Sequence, residues 1–258
     1  MDNKVNGRLA LITGASGGIG GACARALFLQ QVNLALTYNT NKGSINALAE
    51  QLHKEYESAY PEKPLPRISI HQIDMSSADD TATLCKVVES EHGTCVDILI
   101  ANAGFGKRVT DIEDIDLDLF EHTLKVNLRA PFILAKGVVP GMKAQKWGRI
   151  IFISSIAGYG VGLNGAHYSA SKGGLTSMMK NLSTRLAEHN ITVNDVSPAM
   201  IGETGLIPNS ETVPGLVDSI PLGRLGTPQE VANVVMMFCT TGYMTGQSVL
   251  LAGGLNHK

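Results

Sequence analysis

Seven short apolar runs, each separated from the next by a stretch long enough for a helix, constrain this chain more than any other feature. The runs are residues 8–13, 32–38, 68–73, 96–100, 149–153, 191–196 and 247–251. Largely apolar rather than strictly alternating, they suit strands covered on both faces, as in a parallel sheet. The stretches between them carry helical stripes, such as Ile19, Cys23, Ala26 and Leu27, then Ile45, Leu48 and Leu52. Ser44 is the expected cap of the second helix, and Thr227 before Pro228 that of the last. Pro131 falls inside a helical stretch running from near Leu117 past Val126 and Leu134, which predicts a kink or irregular turn there. Strand–helix alternation without a compositional seam predicts one doubly wound α/β domain over residues 1–258, its central parallel sheet holding about seven strands. A closed eight-fold barrel is the competing fold. Only seven runs are countable, however, and the glycine-rich turn opens the first helix instead of coming late in the chain.

Composition narrows the function classes. A hydrophobic share of 44% over 258 residues excludes a disordered chain. Lys+Arg 21 against Asp+Glu 23 gives no case for a nucleic-acid partner. Cys23, Cys85, Cys95 and Cys239 are dispersed, as are His53, His71, His92, His122 and His189, so no metal site is expected. No apolar run is long enough to span a bilayer, and no secretory signal pattern precedes Gly7, so the expected setting is cytoplasmic, without a membrane partner.

The turn Thr13-Gly14-Ala15-Ser16-Gly17-Gly18-Ile19-Gly20 joins the first run to the first helix. Gly14 permits a sharp exit from the strand, Gly18 a close approach of backbone to a pyrophosphate, and Gly20 a close seat of the helix on the sheet. An anion there meets unpaired amides at the helix N-terminus. A tight turn that binds nothing is the plain alternative, but its position after a first strand favours a dinucleotide site in a Rossmann-type domain. No Gly-Lys-Ser/Thr follows, so it is not a nucleoside-triphosphate P-loop.

The Thr-Gly-x-x-x-Gly-x-Gly spacing resembles the short-chain dehydrogenase/reductase family, and further signatures follow in order from about Asn6 to Gly254. Asn102-Ala103-Gly104 resembles its Asn-Ala-Gly segment. Asn127, Ser155, Tyr168 and Lys172 match its catalytic set, with Ser155 thirteen residues before Tyr168 and Lys172 four after. Within the family the pattern is most similar to 3-oxoacyl-[acyl-carrier-protein] reductases. The resemblance implies NAD(P)(H)-dependent oxidoreduction. It implies cofactor contacts from Gly14, Ser16, Gly18, Ile19, Gly20, Asn39, Asp74 beside the adenine, Met75, Asn102, Ala103, Gly104, Tyr168, Lys172, Pro198 and Ile201. It also implies a homo-oligomer, commonly a tetramer, and a water held by Asn127 that links Lys172 to solvent.

Carbonyl reduction needs a proton donor for the oxygen that becomes an alkoxide. Tyr168 suits this if a cationic Lys172, at i+4 on one helix face, favours its phenolate and lowers its pKa. Ser155 at a strand end can hold the carbonyl oxygen. Singly, each residue has an ordinary structural reading: a packed tyrosine, a solvated amine, a capping serine, a surface asparagine. Together, behind a dinucleotide turn, they point to chemistry. A serine hydrolase is the rival enzyme class, but neither Ser154 nor Ser155 sits in a Gly-x-Ser-x-Gly elbow, and His167 is assigned to the loop before Tyr168.

The second run ends at Tyr38-Asn39 with no acid to accept from a free ribose 2′-hydroxyl, and Lys42 adds positive charge. NADP(H) is therefore expected, with NAD(H) the alternative; the Arg often found in the glycine turn of NADP(H)-preferring relatives is replaced by Ser16-Gly17. Residues 199–224 are expected to cover the substrate, with Ser210 to Pro221 supplying apolar Val213, Leu216, Val217 and Ile220. Ala199 stands where the family has glycine, and an added residue before Thr204 leaves that threonine's role open. Lys107 and Arg108 are candidates to meet an acidic carrier. The expected substrate is a small carbonyl compound or acyl thioester, a 3-oxoacyl thioester first, with a diketone, quinone or sugar as alternatives. A non-catalytic cofactor sensor or scaffold is the non-enzymatic alternative.

Overall fold

A computed structural model describes residues 3–160, 163–209 and 215–255. Its centre is a seven-stranded sheet in the order β3-β2-β1-β4-β5-β6-β7, all pairs parallel. The strands are β1 (Leu9–Ile12), β2 (Asn33–Tyr38), β3 (Ile68–Gln72), β4 (Ile98–Ala101), β5 (Gly148–Ile153), β6 (Ile191–Pro198) and β7 (Ser248–Leu251). The helices are α1 (Gly18–Phe28), α2 (Lys42–Ala59), α3 (Ala78–His92), α4 (Leu117–Leu124), α5 (Ala130–Gln145), α6 (Ala166–Leu186), α7 (Leu216–Ser219) and α8 (Pro228–Thr240). All seven expected strands form, and the doubly wound domain stands in place of the barrel.

Strand pleating explains the two cores. Ala10 and Ile12 point into a cluster with Cys23, Leu27, Leu34 and Phe238, beneath α1, α2 and α8. Leu9 and Leu11 point the other way, into Leu84, Leu134 and Met179 on α3, α5 and α6. Alternation along a fully buried strand thus loads both faces equally. Cys23 and Cys239 lie entirely within the first core, where burial pushes both thiols up, Cys239 to about 12.

One helix cap departs from the sequence reading, while the irregular turn expected near Pro131 forms. Asn41, not Ser44, caps α2: its Oδ1 accepts from the Ser44 backbone N–H at 3.0 Å. Ser44 occupies the recipient position one turn in. Around Pro131 the helical path continues from α4 to α5 through a wide π-turn at Lys125–Arg129, where the Ala130 N–H reaches back to the Lys125 carbonyl. Pro131 sits at the start of α5 and has no N–H for the carbonyl of Asn127 four residues earlier. Thr227 caps α8 as expected, in a reciprocal box with Glu230.

Candidate active site

Strand order reverses beside β1: the chain winds outward to β2 and β3, then returns to place β4 on the other side. In such sheets the crevice at the carboxyl ends of the reversing strands is where ligands bind. Nearly every residue singled out from the sequence lies on that edge.

The glycine turn leaves β1 with Gly14 at φ +63°, the left-handed region that glycine enters without strain. A Cβ there would fall 3.0 Å from the Ala103 Cα. Asn102 locks the turn from β4: its Nδ2 donates to the carbonyls of Thr13 at 2.9 Å and Gly14 at 3.1 Å. Thr13 Oγ1 in return accepts from the Asn102 and Ala103 amides, both at 3.0 Å. The Asn102 side chain is therefore spent on the turn's own backbone. Two further glycines of the turn are closely approached as well. What approaches Gly18 is the backbone of Glu203, whose carbonyl would lie 2.1 Å from an added Cβ. A Cβ on Gly20 would lie 2.5 Å from the Gly14 carbonyl and 2.8 Å from Asn102 Nδ2, just past β4.

The first turn of α1 fits a dinucleotide's pyrophosphate. Gly17 caps it with no side-chain hydrogen bond, and the turn holds no acidic residue, so its amides and the positive end of the helix dipole suit an anion. At the end of β2, Asn39 is exposed and its carbonyl accepts from Gln72 Nε2 at 2.9 Å. Beyond β3, Asp74 binds Ser76 twice, from the backbone N–H at 2.8 Å and from Oγ at 2.9 Å, which holds its carboxyl below the usual range. Met75 is buried in the core beneath.

The other half of the crevice carries the hydroxyls and the amine. Ser155 follows β5, its Oγ accepting from the Ala157 N–H at 3.1 Å, and its neighbourhood favours ionisation of the Tyr168 hydroxyl. Tyr168 and Lys172 share one face of α6, with Lys172 Nζ 5.7 Å from the centre of the tyrosine ring. Nζ donates to the Ile153 carbonyl at 2.8 Å. The expected lowering of the tyrosine by lysine is not what this geometry produces. Burial pushes Tyr168 up to about 12, opposed only by Ser155 among the causes, while burial brings Lys172 down to about 8 against the pull of Asp195.

Asn127 sits in the π-turn, fully buried, and its side chain is paired with one neighbour in both directions. Oδ1 accepts from the Phe105 N–H at 2.7 Å, and Nδ2 donates to the Phe105 carbonyl at 2.8 Å and to Ser171 Oγ at 3.1 Å. It thereby anchors the 104–109 loop, and a Cβ on Gly104 would lie 3.6 Å from Oδ1 and 3.7 Å from Lys172 Nζ. His167 is also an anchor. It belongs to α6 rather than to the preceding loop, is fully buried, and its Nε2 meets the Lys107 carbonyl at 3.0 Å. No sequence motif marked either backbone contact. Lys107 and Arg108 themselves are exposed.

After Pro198 the chain turns over the crevice. Met200 and Glu203 both take positive φ, and Ile201 pairs with Gly226. Thr204 Oγ1 donates to the Ile201 carbonyl at 3.0 Å and accepts from the Ile207 N–H at 3.1 Å, so this hydroxyl closes a turn within the lengthened segment. Leu206 reaches the 104–109 loop, its Cδ2 2.9 Å from where a Gly106 Cβ would be. Ser210, Val213 and the side chain of Leu216 lie outside the described residues.

Known proteins share this arrangement. The profile of the short chain dehydrogenase family matches residues 8–212. The chain belongs to that family. A 3-oxoacyl-[acyl-carrier-protein] reductase FabG from Aquifex aeolicus is 32% identical over 99% of this chain and 100% of its own length. The crystal structure of a short-chain type dehydrogenase/reductase from Mycobacterium marinum superposes with TM-score 0.88 at 26% identity, covering 99% of this chain and 98% of that one. A blue fluorescent protein from a metagenomic library, solved in complex with NADPH, superposes with TM-score 0.84 at 29% identity over 98% and 99% of the two chains. This short-chain dehydrogenase has the family's catalytic architecture and is an NAD(P)(H)-dependent oxidoreductase. No helix among the described residues is long and apolar enough to cross a membrane.

Proposed function

We propose that this short-chain dehydrogenase reduces a 3-oxoacyl thioester to the 3-hydroxyacyl product with NADPH. The observation that carries the reductive chemistry is the grouping of Ser155 and Tyr168, with Lys172 Nζ 5.7 Å from the tyrosine ring, at the same sheet edge as the glycine turn. Similarity to FabG-type reductases along the full chain supports the substrate class. The first turn of α1, without acidic residues, and the acid-free end of β2 support a phosphorylated dinucleotide, since an acid there would repel a 2′-phosphate. Gly14, Ser16, Gly18, Ile19 and Gly20 would hold the pyrophosphate, Asn39 the ribose end, Asp74 and Met75 the adenine, Ala103, Gly104, Pro198 and Ile201 the nicotinamide half, with Asn102 acting through the turn it fixes.

When bound, the cofactor supplies the hydride that reaches the carbonyl carbon. Ser155 holds the carbonyl oxygen against Tyr168, which keeps its proton at neutral pH because burial disfavours the phenolate. Tyr168 gives that proton to the oxygen as negative charge develops on it, and the alcohol forms. The Lys172 ammonium stabilises the phenolate left behind, and the Asn127 main-chain carbonyl, which Pro131 leaves without an α-helical donor, holds the water that returns a proton to the pair.

The test is kcat/KM for NADPH and NADH with β-ketoacyl thioesters, diketones, quinones and ketoses. The thioesters are expected to lead, with NADPH preferred several-fold, and Asn39→Asp to move preference toward NADH. Turnover confined to the other carbonyls would overturn the substrate assignment, and equal use of NADH the cofactor assignment.

A further inference from the structure

Four residues at successive i+4 positions, Tyr168, Lys172, Thr176 and Lys180, draw one polar stripe along α6. Helix geometry lays such a stripe on a single face, and here it meets β6 at Asp195. Asp195 is fully buried in the sheet's interior, a place carboxylates rarely occupy without a partner. Its Oδ1 accepts from Ser197 Oγ at 3.0 Å and from Ser248 Oγ, and its register partner on β5 is Phe152, next to the Ile153 carbonyl that Lys172 Nζ reaches at 2.8 Å. Thr176 Oγ1 lies 3.2 Å from Ser154 Oγ, which donates to the Lys172 main-chain carbonyl at 3.2 Å. Oδ2 is buried with no hydrogen-bond partner. Two hydroxyls gather on one oxygen of a carboxylate whose other oxygen is bare, one strand across from the carbonyl that holds the amine of the proposed catalytic pair.

We propose that Asp195 is a positioning residue for that pair: a buried counter-charge, seated on β6 behind α6, that keeps the Lys172 ammonium charged inside the protein. The charged groups facing Asp195 are Lys172 and Lys180, both from α6; β7 contributes Ser248, and β5 the paired Phe152. An amine as enclosed as Lys172, with a main-chain carbonyl as its hydrogen-bond acceptor, loses its proton readily. A fixed negative charge nearby acts strongly in that poorly screened interior and offsets the loss. Burial pushes the Asp195 carboxyl above the usual range, while its hydroxyl neighbours and Lys180, exposed at the far end of the stripe, favour the ionised form.

The inference rests on the role given to Lys172 above, and the test separates the two. Lysine side chains are labelled with carbon-13, the Lys172 signal is assigned with Lys172→Arg, and its titration is followed in the wild type and in Asp195→Asn. The amide is isosteric and can still accept from Ser197 and Ser248, so the fold should persist. Without the charge, the Lys172 midpoint should move at least about one pH unit lower, and the high-pH fall of kcat/KM should move with it. In Thr176→Val, which breaks the hydroxyl bridge but keeps every charge, the midpoint should stay near the wild type; a purely structural role would make the two variants alike. An unmoved midpoint in Asp195→Asn overturns the inference whatever the activity does. A moved midpoint with an unchanged rate profile sustains it and removes Lys172 from the proposed chemistry. Should Asp195→Asn fail to fold, the Asp195 carboxyl carbon of the wild type decides: it must report an ionised group through the range in which Lys172 titrates, and a protonated acid there rejects the counter-charge.

Discussion

Tyr168 is enclosed more tightly than an exposed phenol and is correspondingly reluctant to ionise, with Ser155 as the neighbour that eases it. Tyr168→Phe keeps the ring that packs there and removes only the proton. Hydride transfer in a single turnover under saturating NADPH should fall by about 10² to 10⁴, roughly 3 to 5 kcal/mol of transition-state stabilisation, while cofactor titration stays near wild type. Ser155→Ala should lower kcat/KM with little change in cofactor affinity. Near-normal transfer by folded Tyr168→Phe would remove the acid role. The reacting groups were legible in the sequence because a phenol and an amine at i+4 declare both their chemistry and their shared face. Asn127, His167 and Asp195 were not legible in what they touch. Their partners are main-chain atoms of Phe105 and Lys107, or hydroxyls from β6 and β7, and no local spacing encodes such contacts.

Strands were readable to within two residues, since buried strands must be apolar, whereas α6 begins at Ala166, three residues before the start read from its stripe. The cap of α2 was misplaced by one turn because Asn41 and Ser44 are both capping types, and only geometry shows which donates and which accepts. At α8 the signal was stronger: Thr227, Pro228 and Glu230 form a complete box. Arg224 Nη2 meets Glu230 Oε1 at 2.7 Å, and this ion pair with the Thr227 contacts brings the Glu230 carboxyl down from 4.5 to about 2. A depressed carboxyl stabilises the fold above its unfolded pKa and ceases to do so as pH falls through the folded one. Thr227→Ala should cost about 0.5 to 2 kcal/mol in urea unfolding. The gap in Tm between wild type and Glu230→Gln should be steady above pH 4.5 and close as pH drops toward 2; a gap independent of pH would show that the charge contributes nothing.

One sheet serves both cores, so neither face can be loosened alone. Leu11 and Ile12 are adjacent in β1 yet belong to opposite clusters. Leu11→Ala and Ile12→Ala should each cost about 2 to 5 kcal/mol, and each variant should unfold in a single transition that fluorescence and circular dichroism report identically. A variant losing one face's helices before the other's would contradict the shared-sheet account.

The carbonyl of Glu203 resting where Gly18 has no side chain bears on how such a protein can be rebuilt. A turn near residue 18 and a segment near residue 203 are distant in the chain but cut to one another's outline. Recombining parts from two relatives, an engineer who exchanges the front of the molecule must carry over the segment after β6 as well. Homologous exchange in evolution faces the same rule: a crossover between these two positions succeeds only when both parents already agree on the fit.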